Sequence, residues 1–96
     1  DPLICAKREL SEETGYTANK YTQIHKLATT VGFSNEWIYI YLAQDLVKGK
    51  QHTDDDEFIN LVEMPLSEAV DLVNKGEIFD AKSVVAILMA EKLCKQ

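Results

Sequence analysis

The chain has 96 residues, ten basic and sixteen acidic side chains and a formal net charge of −6 at pH 7, which leaves room for one small domain at most, or part of one, with a thin margin of stability. This acidic balance excludes a surface made for nucleic acid polymers or anionic membranes; no stretch approaches the roughly 18 consecutive apolar residues of a membrane span, and no basic segment precedes an apolar run in the manner of a leader. The two cysteines, Cys5 and Cys94, have no metal-ligand spacing with His25 or His52 and read as the reduced thiols of a cytoplasmic protein.

The first predicted element is a helix carrying Arg8-Glu9-Leu10-Ser11-Glu12-Glu13-Thr14 and stopped at Gly15, where a glycine in the left-handed region would end it and turn the chain. Residues three and four apart share a helix face, so Glu9, Glu12 and Glu13 cluster, Arg8 reaches toward Glu12, and Leu3, Ala6 and Leu10 form the stripe that faces a core. Three close carboxylates repel one another, and helix propensity gives no reason to gather them. Taken alone, a Glu-rich helix is usually a solvated face. The full set of residue types at these offsets should arise by chance only about once in ten million starting positions. A hard divalent cation explains the cluster, because magnesium is held by a few carboxylates together with phosphate oxygens and water.

Further along, β-branched and aromatic residues from Tyr21 to Thr30 predict a strand. A loop at Gly32-Phe33-Ser34-Asn35 separates it from a second strand over Glu36 to Ala43, whose run Trp37-Ile38-Tyr39-Ile40-Tyr41-Leu42 is apolar on both faces and is expected in the interior, covered on each side. A polar loop from Lys48 to Asp56 follows, then a strand from Phe58 to Met64 that Pro65 ends. A short helix over Leu66 to Lys75, with Ala69, Leu72 and Val73 inward, stops at Gly76. Asp80 is placed to cap a longer helix with Ala81, Val84, Val85 and Leu88 inward. The acidic run Asp54-Asp55-Asp56-Glu57 is ordinarily solvated charge, but beside a sheet edge one of its carboxylates could orient or deprotonate an attacking water. Tyr39 and Tyr41 beside Trp37 could stack a base, although aromatics on an interior strand are more often core.

Arg8 to Tyr16 resembles the second half of the Nudix box, G-x5-E-x7-R-E-U-x-E-E-x-G-U, where U is a bulky apolar residue. By that count the glutamate of the first half falls immediately before Asp1, so the box is expected to be cut in two and the amino-terminal part of the domain to lie outside the chain. Gly32 to Glu36, Asp55 to Ile59 and Gly76 to Lys82 are similar to the ADP-ribose pyrophosphatase branch of that family, one departure being Val31 where the branch usually carries proline.

The resemblance implies the carboxy-terminal portion of an α/β/α sandwich with a mixed sheet between helices. It implies magnesium, with Mn2+ as a substitute, on Glu9 and Glu13 with Glu12 assisting, and Arg8 orienting the carboxylates. Glu57 matches the loop glutamate that serves as a further metal ligand and base, and Glu36 the glutamate that contacts substrate. The implied reaction is hydrolysis of a nucleoside diphosphate linked to another group, foremost ADP-ribose to AMP and ribose 5-phosphate, by a homodimeric parent. The alternatives are a nucleotide sugar, a damaged nucleoside triphosphate, or a Nudix-like module that binds ADP-ribose without cleaving it. The fragment alone is expected to be weakly active or inactive.

Overall fold

The computed structural model describes residues 1–29, 36–49 and 61–94. They form a mixed α/β chain in the order α1 (Pro2–Thr14), β1 (Tyr16–Ala28), β2 (Trp37–Lys48), α2 (Leu66–Asn74) and α3 (Ala81–Cys94). The two strands are hydrogen-bonded neighbours in a two-stranded sheet. They run antiparallel, since the Gly49 amide meets the Gly15 carbonyl at one end and the Thr29 amide meets the Glu36 carbonyl at the other. The chain divides into two compact units, Asp1–Thr22 with Ala43–Val62, and Gln23–Leu42 with Glu63–Gln96.

In the first unit, α1 begins at Asp1, whose carboxylate accepts from the Leu3 amide at 2.9 Å, with Pro2 in the first turn, where its missing N–H costs nothing. Gly15 ends the helix at φ 75°, in the left-handed conformation expected of it. Thr14 carries the chain across this junction: its hydroxyl donates to the Leu10 carbonyl at 2.6 Å and accepts from the Tyr16 amide at 3.0 Å. β1 therefore starts at Tyr16, five residues before the expected Tyr21. Leu3, Ala6 and Leu10 are half-buried, as their shared stripe requires. Across the unit the Lys7 ammonium lies 5.3 Å from the centre of the Tyr21 ring. β2 extends to Lys48 and includes Asp45 at φ 56°, a conformation that aspartate tolerates better than most residues.

In the second unit, α2 starts after Pro65, whose carbonyl accepts from the Glu68 and Ala69 amides. It closes on Gly76 at φ 79°, with the Glu77 and Ile78 amides donating back to the Leu72 carbonyl. Asp80 caps α3 as expected, accepting from the Ser83 amide at 3.1 Å. α2 and α3 pack against each other. Ile40, Val70 and Ala90, the most buried apolar side chains among the described residues, all belong to this unit. On α3, Val84 and Val85 are half-buried as the spacing requires, but Ala81 and Leu88 are exposed and Ala90 takes the most buried position. The helix is apolar nearly all round, so its spacing alone does not fix the inward face.

Two expectations need correction. Trp37 is 51% exposed and Tyr39 36% exposed, so β2 is not covered on both faces among the described residues. Ile38, Ile40 and Leu42 are turned toward packing on one face while Trp37 and Tyr39 share the other with Lys26, whose ammonium lies 4.6 and 5.4 Å from their ring centres. Residues 61–64 are not strand: Leu61 and Val62 are exposed and pair with no strand among the described residues. The expected loop residues 32–35, and residues 50–60 with the acidic run, lie outside the described residues.

Candidate active site

α1 is the element that gathers carboxylates. Its hydrogen-bonded turns bring Glu9, Glu12 and Glu13 onto neighbouring positions of one exposed surface, with Arg8 beside them. The half-buried stripe on the other side fixes which surface that is. Gly15 ends the helix immediately after Thr14, so Glu13 stands in the last turn, next to the start of β1.

The arginine is arranged differently from the sequence expectation. Its Nη2 donates to Cys5 Sγ at 3.7 Å rather than closing an ion pair with Glu12, and the Cys5 thiol in turn donates to Glu9 Oε1 at 3.6 Å. The hydrogen bond to Cys5 is the foremost reason that the Arg8 pKa is raised, and the negative charge of Glu12 comes next. Arg8 is thus a fixed positive charge among the glutamates, linked to Glu9 through sulfur. Cys5 is the residue that motif reading passes over. Its spacing, three before Arg8 and four before Glu9, was the available signal, because those intervals make helix neighbours.

Glu36 belongs to the second unit, where Thr29 holds it: the Thr29 hydroxyl donates to the Glu36 carbonyl and to Oε2, each at 3.4 Å. Glu57 lies outside the described residues. Among those that are described, no three carboxylate, imidazole or thiol groups converge as a ready-made metal cage. Magnesium does not require one. It dehydrates reluctantly and takes one or two carboxylates, completing its octahedron with water and substrate phosphate oxygens. The exposed oxygen donors of Glu9, Glu12 and Glu13 suit that ion, and the thiol of Cys5, a soft ligand, does not.

The family model of the NUDIX domain matches residues 1–86. The chain belongs to the Nudix family. It is 43% identical over 89 residues to the ADP-ribose pyrophosphatase of Bacillus subtilis, 39% identical over 89 residues to the methanol dehydrogenase activator of Bacillus methanolicus, and 36% identical over 90 residues to the GDP-mannose pyrophosphatase of Cronobacter sakazakii. In each case 91% of this chain is aligned with 47–48% of the relative. A crystal structure of an ADP compounds hydrolase superposes with a TM-score of 0.81 at 31% identity, covering 95% of this chain and 49% of that one. This Nudix chain therefore spans about half the length of the curated relatives it matches. No described helix is long and apolar enough to cross a membrane.

Proposed function

We propose that the protein to which this Nudix chain belongs is a magnesium-dependent hydrolase of nucleoside diphosphates linked to another group, with ADP-ribose, cleaved to AMP and ribose 5-phosphate, as the foremost substrate. The observation that carries this reading is the exposed face of α1, on which Arg8, Glu9, Glu12 and Glu13 stand together ahead of the left-handed Gly15. Similarity to an ADP-ribose pyrophosphatase and an ADP compounds hydrolase supports the choice of substrate.

Magnesium, when bound, supplies Lewis-acid chemistry that activates water and offsets charge on the diphosphate. Glu9 and Glu13 are its proposed main ligands and Glu12 an assisting one, with Mn2+ as a substitute ion. Arg8, linked to Glu9 through Cys5, orients the carboxylates. Glu57 is proposed as a further ligand and as the base that holds the attacking water and accepts its proton. The water oxygen bonds to one phosphorus as the bond from that phosphorus to the bridging oxygen breaks. Glu36 is proposed to contact substrate. A cytoplasmic homodimer, implied by the family resemblance, completes the reading.

Two other readings have support of their own. The GDP-mannose pyrophosphatase relatives favour a nucleotide sugar. The relative named as an activator favours a module that acts on a partner protein, although this chain retains all three glutamates of the half-box it contains. The deciding assay follows AMP release from ADP-ribose and GMP release from GDP-mannose by the full-length protein, with and without magnesium, beside the 96 residues alone, which we propose to be weakly active or inactive. Glu13→Gln should lower magnesium-dependent AMP release by about two orders of magnitude, at or beyond the upper end of what outer-shell changes at metal sites cost, with the circular dichroism spectrum unchanged. Near-normal release by that variant overturns the metal assignment. Faster GDP-mannose turnover moves the substrate, and ADP-ribose binding without cleavage by wild type makes the protein a binding module.

A further inference from the structure

Thr29 and Glu36 face each other across the end of the hairpin in the second unit, one following β1 and the other preceding β2. Their backbones are joined by a bond from the Thr29 amide to the Glu36 carbonyl at 3.2 Å. The Thr29 hydroxyl reaches the same carbonyl and the Glu36 side-chain oxygen Oε2, each at 3.4 Å. One proton shared between two acceptors at that distance makes each bond a weak one. Its direction is nevertheless set, because the backbone bond fixes the two residues opposite each other and the β-branched threonine has few side-chain rotamers. Glu36 is exposed, and among the described residues its carboxylate takes no hydrogen bond except this one on Oε2. Oε1 is left open. An exposed glutamate otherwise turns about several side-chain torsions, so a tether on one oxygen limits where the other can point.

We propose that Thr29 is a positioning residue for substrate, holding the Glu36 carboxylate by Oε2 so that Oε1 is presented to a hydrogen-bond donor of the bound nucleotide. The inference rests on the reading of Glu36 as a substrate contact. An ionised carboxylate only accepts, so what it meets on a nucleoside diphosphate is a hydroxyl or amino group and not the like-charged diphosphate. Thr29 touches no reacting atom in this scheme. It reduces the freedom that Glu36 loses when substrate binds, which strengthens binding without acting on the bond that breaks. Valine keeps the branched shape of threonine and removes the hydroxyl, whereas serine keeps the hydroxyl.

The test is a double-mutant cycle on the full-length protein with magnesium, run on whichever of ADP-ribose and GDP-mannose the wild type turns over with the higher kcat/KM. Thr29→Val should raise KM about threefold, the effect of losing one modest hydrogen bond, with kcat within about twofold of wild type and the circular dichroism spectrum unchanged. Thr29→Ser should have a KM closer to wild type than to the valine variant. Glu36→Ala should raise KM about tenfold, since a hydrogen bond to a charged group is the stronger kind. In the Glu36→Ala background Thr29→Val should add nothing, because a residue that acts through Glu36 has no effect once that carboxylate is gone. An equal rise in KM in both backgrounds overturns the positioning role, since Thr29 then acts on the fold or on substrate by itself. A wild-type KM in Thr29→Val while Glu36→Ala raises it overturns the role as well, and so does serine behaving like valine. An unchanged KM in Glu36→Ala overturns the substrate contact of Glu36 and the role of Thr29 with it, while the hydrolase reading stands. Turnover of neither substrate by wild type overturns the hydrolase reading, and the positioning role falls with it.

Discussion

The Gly49 amide donates to the Gly15 carbonyl across 2.7 Å, while the Gly15 amide donates to the Ser11 carbonyl at 2.9 Å. One buried residue therefore both ends the helix that carries the glutamates and receives the last bond of the hairpin. Its φ of 75° is the reason it is glycine, because a side chain in the left-handed region costs about 1–2 kcal/mol. Gly15→Ala should destabilise the chain by about 1 kcal/mol, part of the strain being offset by reduced freedom of the unfolded chain. Gly15→Asn should recover some of that loss, since asparagine tolerates this conformation. Urea unfolding of the three proteins checks this. Equal midpoints for alanine and wild type would show that Gly15 is not held in the left-handed region.

Gly49 is tight for a different reason. A Cβ there would lie 3.1 Å from the Gly15 carbonyl oxygen, closer than ordinary contact. Gly49→Ala should therefore cost less than Gly15→Ala, a few tenths of a kcal/mol as the strand end shifts to relieve the contact, which is within the range of modest surface changes. The same urea series ranks the two, and a larger loss at Gly49 than at Gly15 would contradict the order.

The parts of the fold that were legible in the sequence are those fixed by local chemistry. Gly15, Gly76 and Asp80 each act within one turn of themselves, and each stands where its residue type indicated. Strand limits were less legible. Tyr16 to Lys20 contains Asn19 and Lys20 and lacks an apolar alternation, yet it is strand because β2 supplies hydrogen-bond partners, a decision made by the tertiary structure. The opposite difference occurs at Leu61 and Val62, part of the expected strand from Phe58 to Met64, which are apolar enough for a strand but join no ladder among the described residues. In the site, the helical spacing gave the glutamate face, whereas the turn of Arg8 to Cys5 is a choice among side-chain rotamers that spacing leaves open. The proposed roles of Glu57 and Glu36 came from family resemblance, and Glu57 lies outside the described residues.

Lys26 gives a prediction on the exposed face of the hairpin. Its ammonium lies 4.6 Å from the Trp37 ring centre and 5.4 Å from that of Tyr39, in the range where a cation is attracted to an aromatic face. Trp37 is the chain's one tryptophan, so its fluorescence reports on this contact directly. Lys26→Ala should cost about 0.5 kcal/mol, the lower figure for exposed pairs. It should also reduce quenching by iodide more than quenching by acrylamide, because the lysine attracts the anion to the indole and does not attract the neutral amide. Parallel losses for both quenchers, or none, would place the lysine away from Trp37 in solution.

Asp80 gives the pH dependence. Its pKa is held below the ordinary carboxylate value, first by the hydrogen bond from Lys82 at 3.0 Å, then by the Ser83 hydroxyl at 2.9 Å and the Ser83 amide at 3.1 Å. A depressed pKa means that, as pH falls through the unfolded value, the unfolded chain takes up a proton before the folded one does, and stability falls with it. The contribution of Asp80 is therefore complete at neutral pH, begins to decline near the unfolded carboxylate value and is gone once pH drops through the folded value. Asp80→Asn retains a side-chain acceptor for the α3 cap but cannot titrate, so every other acidic group is common to it and wild type. Wild type should be the more stable of the two at pH 6, with the gap closing as pH is lowered below the ordinary carboxylate value. The protection of the Ser83 amide, whose N–H bonds to the Asp80 carboxylate, relative to its intrinsic exchange rate at each pH should fall in wild type over the same interval. A wild-type advantage that does not shrink at all as pH falls below the ordinary carboxylate value would mean that the carboxylate charge of Asp80 contributes nothing to holding the first turn of α3.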